Sequence, residues 1–218
     1  MKSRFLKGLI IIVVGIISIT TLYNGVELFL KHTRDYAYIE YGEDDGPLYF
    51  IRYNENRYVE LPHHYSIYGS YDEKPLAILT DGSYISSNLS KSYIYGYPND
   101  ENQDYIFADS FWDSIVSGGD CVKEGYDIPE VKAENIASIN VYSYENSELV
   151  FSVDSTEGIK GILERGKYDF LDGYYFYERS DNDQISYYID ALFNDGLLTY
   201  DLGEISEQTL KEWKELYA

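Results

Sequence analysis

One cysteine, Cys121, stands among 218 residues. No internal disulfide is possible, so any fold must be held by its core alone. Basic residues are scarce too: 17 Lys and Arg face 38 Asp and Glu, giving a formal charge of −21. That balance argues against nucleic acid as a partner, because such affinity comes from Lys and Arg on phosphates. It equally disfavours other polyanions. Three histidines, His32, His63 and His64, leave few ligands for a zinc-type centre. Prolines number five, while hydrophobic residues make up 44% and aromatics 17%. A disordered acidic tail has the opposite composition, so the chain is expected to fold. No phosphate loop, G-x-G-x-x-G, H-E-x-x-H or G-x-S-x-G occurs.

Charge is also missing from one long stretch. Residues 8–26, GLIIIVVGIISITTLYNGV, carry no charged side chain. As a helix, nineteen residues span roughly 28 Å, close to the hydrocarbon thickness of a bilayer. The run is longer than a signal-peptide core, and Ser18 and Thr20 match a small-x-small cleavage site poorly. It therefore reads as an uncleaved signal anchor, residues 1–30. Lys2, Arg4 and Lys7 precede the run, whereas Lys31 and Arg34 after it are offset by Glu27 and Asp35. By the positive-inside rule the N-terminus is cytoplasmic and the long C-terminal part extracytoplasmic. Residues 31–218 hold 37 of the acids and 14 of the Lys and Arg, near −23. The charge suits solubility and cationic partners.

Residues 31–46, from Lys31 to the acidic turn Glu43-Asp44-Asp45-Gly46, read as a stalk. A β-rich subdomain is expected over 47–120. LYFIRY (48–53) and RYVEL (57–61) form a hairpin, and HYSIYG, LAILT, YISS (84–87), SYIYGY and YIFA follow as short strands. FWDSIV (111–116) fits helix or strand equally. Gly118-Gly119-Asp120 and Gly125 to Pro129 read as breakers and mark a boundary. An α+β subdomain follows over 121–218. IASINVYSY and ELVFSV form a hairpin. Asp154 and Glu157 have capping-box spacing before a helix to about Glu164. YYFYE and QISYYIDALF are strands, and Asn194-Asp195-Gly196 turns the chain into LLTYDL. Ser206 caps a last helix with Leu210, Trp213, Leu216 and Tyr217 on one face. The fold class is thus α+β: an N-terminal transmembrane helix, then mostly antiparallel β with few helices. Two hairpin-plus-helix units are expected to form a sheet with both helices on one face. No βαβ alternation appears, which disfavours a parallel nucleotide-binding sheet.

This layout resembles single-pass membrane-anchored exported proteins of Gram-positive bacteria. The resemblance is carried by KSRFLKGLIIIVVG, YIYGYPNDENQDYIFADSF and LLTYDLGEISEQTLKEWKEL. It implies a location and a fold class, and brings no active site.

Asp109, Ser110, Asp113, Asp120 and Cys121 cluster carboxylates around a thiol, but acidic neighbours oppose the thiolate a nucleophile needs. His63 and His64 on a strand point to opposite faces unless Pro62 turns the chain. Glu43-Asp44-Asp45-Gly46, Asp100-Glu101-Asn102 and Asp181-Asn182-Asp183 are oxygen-rich loops. None has the spacing of the twelve-residue calcium loop, so solvated turns are the plainer reading. Of the 26 tyrosines, many lie in strand-like runs, which suits half-buried strands or an aromatic surface that stacks on sugars or peptides. No catalytic, cofactor or metal residues are assigned. The expected function is non-catalytic binding at the bacterial cell surface, with the membrane and a cationic protein or cell-wall partner as contacts. The alternatives are a cell-wall polymer hydrolase using acidic residues and an immunity-type protein capturing a cationic partner.

Overall fold

The computed structural model describes residues 2–42, 49–109, 118–165, 167–169, 174–176 and 185–217. The elements run α1 (Lys2–Thr33), β1 (Tyr36–Tyr41), β2 (Tyr49–Tyr53), β3 (Asn56–Glu60), β4 (Tyr65–Ile67), β5 (Ala77–Thr80), α2 (Tyr84–Ser90), β6 (Tyr93–Tyr95), β7 (Tyr105–Ala108) and β8 (Gly119–Lys123). A 3-10 turn at Ala133–Asn135 leads to β9 (Ile136–Ser143), β10 (Leu149–Val153), α3 (Thr156–Arg165), β11 (Lys167–Asp169), β12 (Tyr174–Phe176), β13 (Ile185–Phe193), β14 (Leu198–Ser206) and α4 (Glu207–Tyr217). The class is α+β: an N-terminal apolar helix, mostly antiparallel strands and few helices. Ile11–Thr33 of α1 is long and apolar enough to cross a membrane and none of it is buried. Its apolar side chains from Ile11 to Phe29 are exposed all round rather than on one stripe.

The chain divides into two compact units. One comprises residues 1–60, 71–97 and 106–124; the other comprises 61–70, 98–105 and 125–218. In the first, seven strands close a barrel in the order β1-β2-β3-β8-β7-β6-β5. Closure leaves no unpaired edge to aggregate. β1 lies antiparallel to β2, with Ile39 opposite Ile51, and parallel to β5, with Ala37 opposite Leu79. The sequence alternates accordingly: Ala37 and Ile39 of β1, Ile51 of β2, Tyr58 of β3 and Cys121 of β8 fill the interior. Outside, Glu40 bridges Arg52 at 3.0 Å and Arg57 at 3.3 Å. The Arg57 guanidinium also sits 3.7 Å from the Phe50 ring centre.

Three expectations change here. The stretch expected as stalk contains β1, because Tyr36-Ala37-Tyr38-Ile39 alternates well enough to supply a core strand, and α1 runs on to Thr33. Gly119-Asp120 opens β8 instead of breaking the chain, because Val59 and Glu60 of β3 pair with Val122 and Cys121. Tyr84–Ser87 is helical. Helix α2 gains tertiary support there: Ser87 Oγ donates to Thr80 Oγ1 at 2.7 Å, and Asn88 Nδ2 donates to the Tyr36 hydroxyl at 2.6 Å.

The second unit is a five-stranded antiparallel sheet in the order β10-β9-β13-β14-β4. The two hairpin-plus-helix units are present, β9-β10-α3 and β13-β14-α4. Ile139 and Val141 of β9, Ile189 and Ala191 of β13, Ile159 and Ile162 of α3 and Trp213 of α4 are all buried. Both helices therefore cover one face of the sheet, and they touch each other. A Cβ at Gly161 would stand 2.5 Å from the Tyr217 hydroxyl, so glycine on α3 makes the groove that the Tyr217 ring of α4 occupies. The cap of α3 is Ser155, not Asp154: its Oγ accepts the Gly158 amide at 3.2 Å. Ser206 caps α4 as expected, accepting the Thr209 amide at 3.2 Å.

Candidate functional site on the open sheet face

The cluster around Cys121 is structural. Asp109 accepts the Tyr93 amide and the Tyr95 hydroxyl, each at 3.3 Å. Asp120 accepts the Tyr97 hydroxyl. Cys121 is 1% exposed in the barrel interior. Burial, then Glu60 and Asp120, hold its thiol far above the ordinary range, the opposite of what a nucleophile requires. Ser110 and Asp113 lie outside the described residues, as do FWDSIV, Glu43-Asp44-Asp45-Gly46 and Asp181-Asn182-Asp183. Asp100 is engaged by its own loop, accepting the Asp104 amide at 3.0 Å and the Tyr105 amide at 2.6 Å.

For His63 and His64 the turn at Pro62 is the case that holds. They sit in a turn before β4, closed by the Tyr65 amide on the Pro62 carbonyl at 3.0 Å, and His64 adopts φ +77°. Their rings consequently stack, with centres 4.3 Å apart. His32 lies in the last turn of α1. Among the described residues, no three His, Cys, Asp or Glu side chains come together as a metal site.

The arrangement of most chemical interest lies on the face of the five-stranded sheet turned away from the helices. Strand register builds it. Successive side chains alternate between faces, so the strands that send Ile139, Val141, Ile189 and Ala191 to the core send Asn140, Tyr142, Tyr188 and Asp190 the other way. Ser152 of β10 stands opposite Asn140 of β9. Asn140 stands opposite Asp190 of β13, and Asp190 opposite Asp201 of β14. A polar row thus crosses four adjacent strands. It extends to His64, whose Nδ1 lies 3.9 Å from Asp201 Oδ2 and whose carbonyl accepts the Asp201 amide at 2.9 Å.

Hydrogen bonds fix one end of the row. Asn140 Oδ1 accepts Ser152 Oγ at 2.7 Å and Ser138 Oγ at 3.4 Å. Tyrosines line its flank. Tyr142 and Tyr188 stack with centres 5.1 Å apart, and Tyr144 tilts against Tyr188 at 5.4 Å. The Tyr144 hydroxyl donates to Glu204 Oε1 at 2.5 Å. Tyr68, 52% exposed, reaches the Tyr142 hydroxyl.

Two groups on this face titrate away from their ordinary values. Burial pushes the Asp190 carboxyl up to about 6, and the neighbouring Asp201 charge adds to the effect. Burial, followed by the neighbouring Tyr68 and Asp190, pushes the Tyr142 hydroxyl up to about 12. The face thus combines a recessed carboxyl, two further carboxylates at Asp201 and Glu204, and four tyrosine rings. Such a set attracts cations twice over, through carboxylate charge and through the negative faces of the rings. Sequence reading missed it because its members come from four separate strands and from the segments on either side of β4 and after β9. One signal was available: Asp190 stands between Ile189 and Ala191 in the middle of an apolar strand.

No protein-family model, curated protein or solved structure matches the chain.

Proposed function

We propose that this chain is a single-pass membrane-anchored binding protein of the bacterial cell surface, with α1 as a signal anchor and the folded part extracytoplasmic. Its binding surface is the tyrosine–carboxylate face of the five-stranded sheet, and its partner is cationic. The asymmetry of Lys2, Arg4 and Lys7 before the uncharged run supports the orientation. The observation that carries the binding reading is Asp190, Asp201 and Glu204 framed by Tyr68, Tyr142, Tyr144 and Tyr188. Its partner class is a Lys- or Arg-rich segment of a protein at the cell surface, which includes a captured cationic toxin.

The test uses the full chain in neutral lipid nanodiscs and a fluorescent oligoarginine peptide read by anisotropy. Asp201→Asn with Glu204→Gln removes two charges from the face. Glu73→Gln with Glu101→Gln removes two from exposed positions elsewhere. The face variant is expected to bind about tenfold more weakly, roughly 1.4 kcal/mol, and the control within about twofold of the parent. Equal losses would mean attraction by net charge alone and would defeat the assignment.

One observation favours a second reading. A carboxyl held near 6 beside a second carboxyl group is the pairing that acid–base hydrolysis uses. A hydrolase acting on wall polymer would lose its activity in Asp190→Asn, whereas a binding protein releases no product from wall polymer in either form.

A further inference from the structure

We infer that α2 rests on the outer surface of the bilayer, its apolar edge of Ile85 and Leu89 lying in the boundary between headgroups and acyl chains. This rests on the anchor reading above and adds a second, monotopic membrane contact to it.

The first observation is that the barrel follows the anchor helix closely. Helix α1 runs unbroken to Thr33, and Arg34-Asp35 alone separates it from β1. The second is a latch at a defined depth. Glu27 is the residue after the uncharged run. Its Oε2 accepts the Tyr84 amide at 3.0 Å and its Oε1 the Ile85 amide at 3.2 Å. Ser83, the residue before α2, makes no side-chain cap bond. Glu27 therefore satisfies the first amides of α2. A carboxylate at the edge of a bilayer is costly unless it is hydrogen-bonded, and here both oxygens are engaged.

That latch sets the height of α2. One residue advances a helix by about 1.5 Å, so Glu27 stands level with the end of the run. The interfacial layer is roughly 5–8 Å deep on each side. Exposed apolar side chains continue beyond the latch: Leu28 is 59% and Phe29 65% exposed. A bilayer that covers Phe29 reaches past the start of α2. Helix α2 turns Ser87 inward, fully buried, and leaves Leu89 76% exposed. Ile85 and Leu89 are spaced i, i+4 and share a face, and the Ile85 end of that face is hydrogen-bonded to α1. Between α1 and the start of α2 lie Tyr23, Leu28 and Tyr84 together with the polar Glu27, Lys31 and Asp81, a mixture of apolar, aromatic and charged groups that suits the headgroup layer. Lys31 follows Phe29 by two residues and Lys91 follows Leu89 by two, in position to extend their ammonium groups to the headgroups. Tyr23 and Tyr84 flank the same junction, where interfacial aromatics are favoured.

The test places a spin label at Leu89→Cys and, separately, at Ile17→Cys in full-length protein, in bilayers of phosphatidylcholine and phosphatidylglycerol. Leu89 is exposed, so the substitution spares the fold. Cys121 is 1% exposed, and the parent protein supplies the labelling background. Collision with oxygen, which concentrates in lipid, is compared with collision with a water-soluble nickel chelate. The oxygen-to-nickel ratio is expected to be raised several-fold over free label in buffer at both positions. A buffer-like ratio at 89 with a raised one at 17 would overturn the contact and leave the anchor standing. Buffer-like ratios at both positions would overturn the anchor, and the contact with it.

Discussion

Replacing Gly158 by alanine sets two well-known effects against each other. In an exposed helix interior the change gains up to about 1 kcal/mol, because alanine loses less conformational entropy. Gly158 is buried in the first turn of α3. A Cβ there would lie 2.5 Å from Val153 Cγ1 and 2.7 Å from Ser155 Oγ. Neither neighbour is free to withdraw: Val153 is 2% exposed at the end of β10, and Ser155 Oγ holds the amide that caps α3. Overpacking of this kind costs about 1–3 kcal/mol, and a displaced cap about 1 kcal/mol more. The net expectation is a loss of about 2 kcal/mol, or roughly 4–8 °C in melting temperature for a chain of this size. Urea titration in detergent, followed by amide exchange of β9 and β13, measures it. Gly161→Ala is the internal control. Its Cβ meets the Tyr217 hydroxyl at 2.5 Å, the tip of a side chain on the last turn of α4, which can swing aside. That variant is expected within about 1 kcal/mol of the parent. If Gly158→Ala gained stability, the packing of β10 against α3 would not be as described.

Two further outcomes follow from burial. The folded state holds the Asp190 carboxyl at about 6, well above its ordinary value, so the unfolded chain ionises first as pH rises. Stability from this group is therefore highest below about pH 4 and falls through pH 6. Asp190→Asn is expected to be more stable than the parent by about 3 kcal/mol at pH 7, the difference falling below about 1 kcal/mol at pH 4; a constant difference across that range would refute the account. Cys121 is expected to resist an aromatic disulfide reagent at pH 8 until the protein unfolds, and modification at the rate of a free thiol would contradict its place in the barrel core.

The C-terminal unit was largely legible in the sequence. IASINVYSY, ELVFSV and LLTYDL are β-branched and aromatic runs, Asn194-Asp195-Gly196 sets a tight turn, and Leu210 and Trp213 mark the buried face of α4. The barrel was not, because its closure depends on pairings far apart in the chain. β1 meets β5 some 40 residues on, with Tyr36 opposite Ile78. β3 meets β8 with Tyr58 opposite Lys123. No local signal announces such partners. Tyr36–Tyr41 was obscured by the charges around it, and Gly119–Lys123 by its glycines. Strand β4, which belongs to the second sheet, pairs with β14 through Ile67 and Leu198. The candidate site was hidden for the same reason: Asn140, Asp190 and Asp201 become neighbours only through register, which periodicity does not specify.

The binding face itself is tested most directly by hydroxyl-radical footprinting of the full chain in neutral nanodiscs, with and without saturating oligoarginine. Tyr68 and Tyr144 are exposed on the sheet face, and Tyr41 and Tyr71 are exposed on the barrel. The account predicts that the peptide protects Tyr68, Tyr142, Tyr144 and Tyr188 and leaves Tyr41 and Tyr71 oxidised as before. Protection of the barrel tyrosines with the sheet-face four unchanged would contradict it.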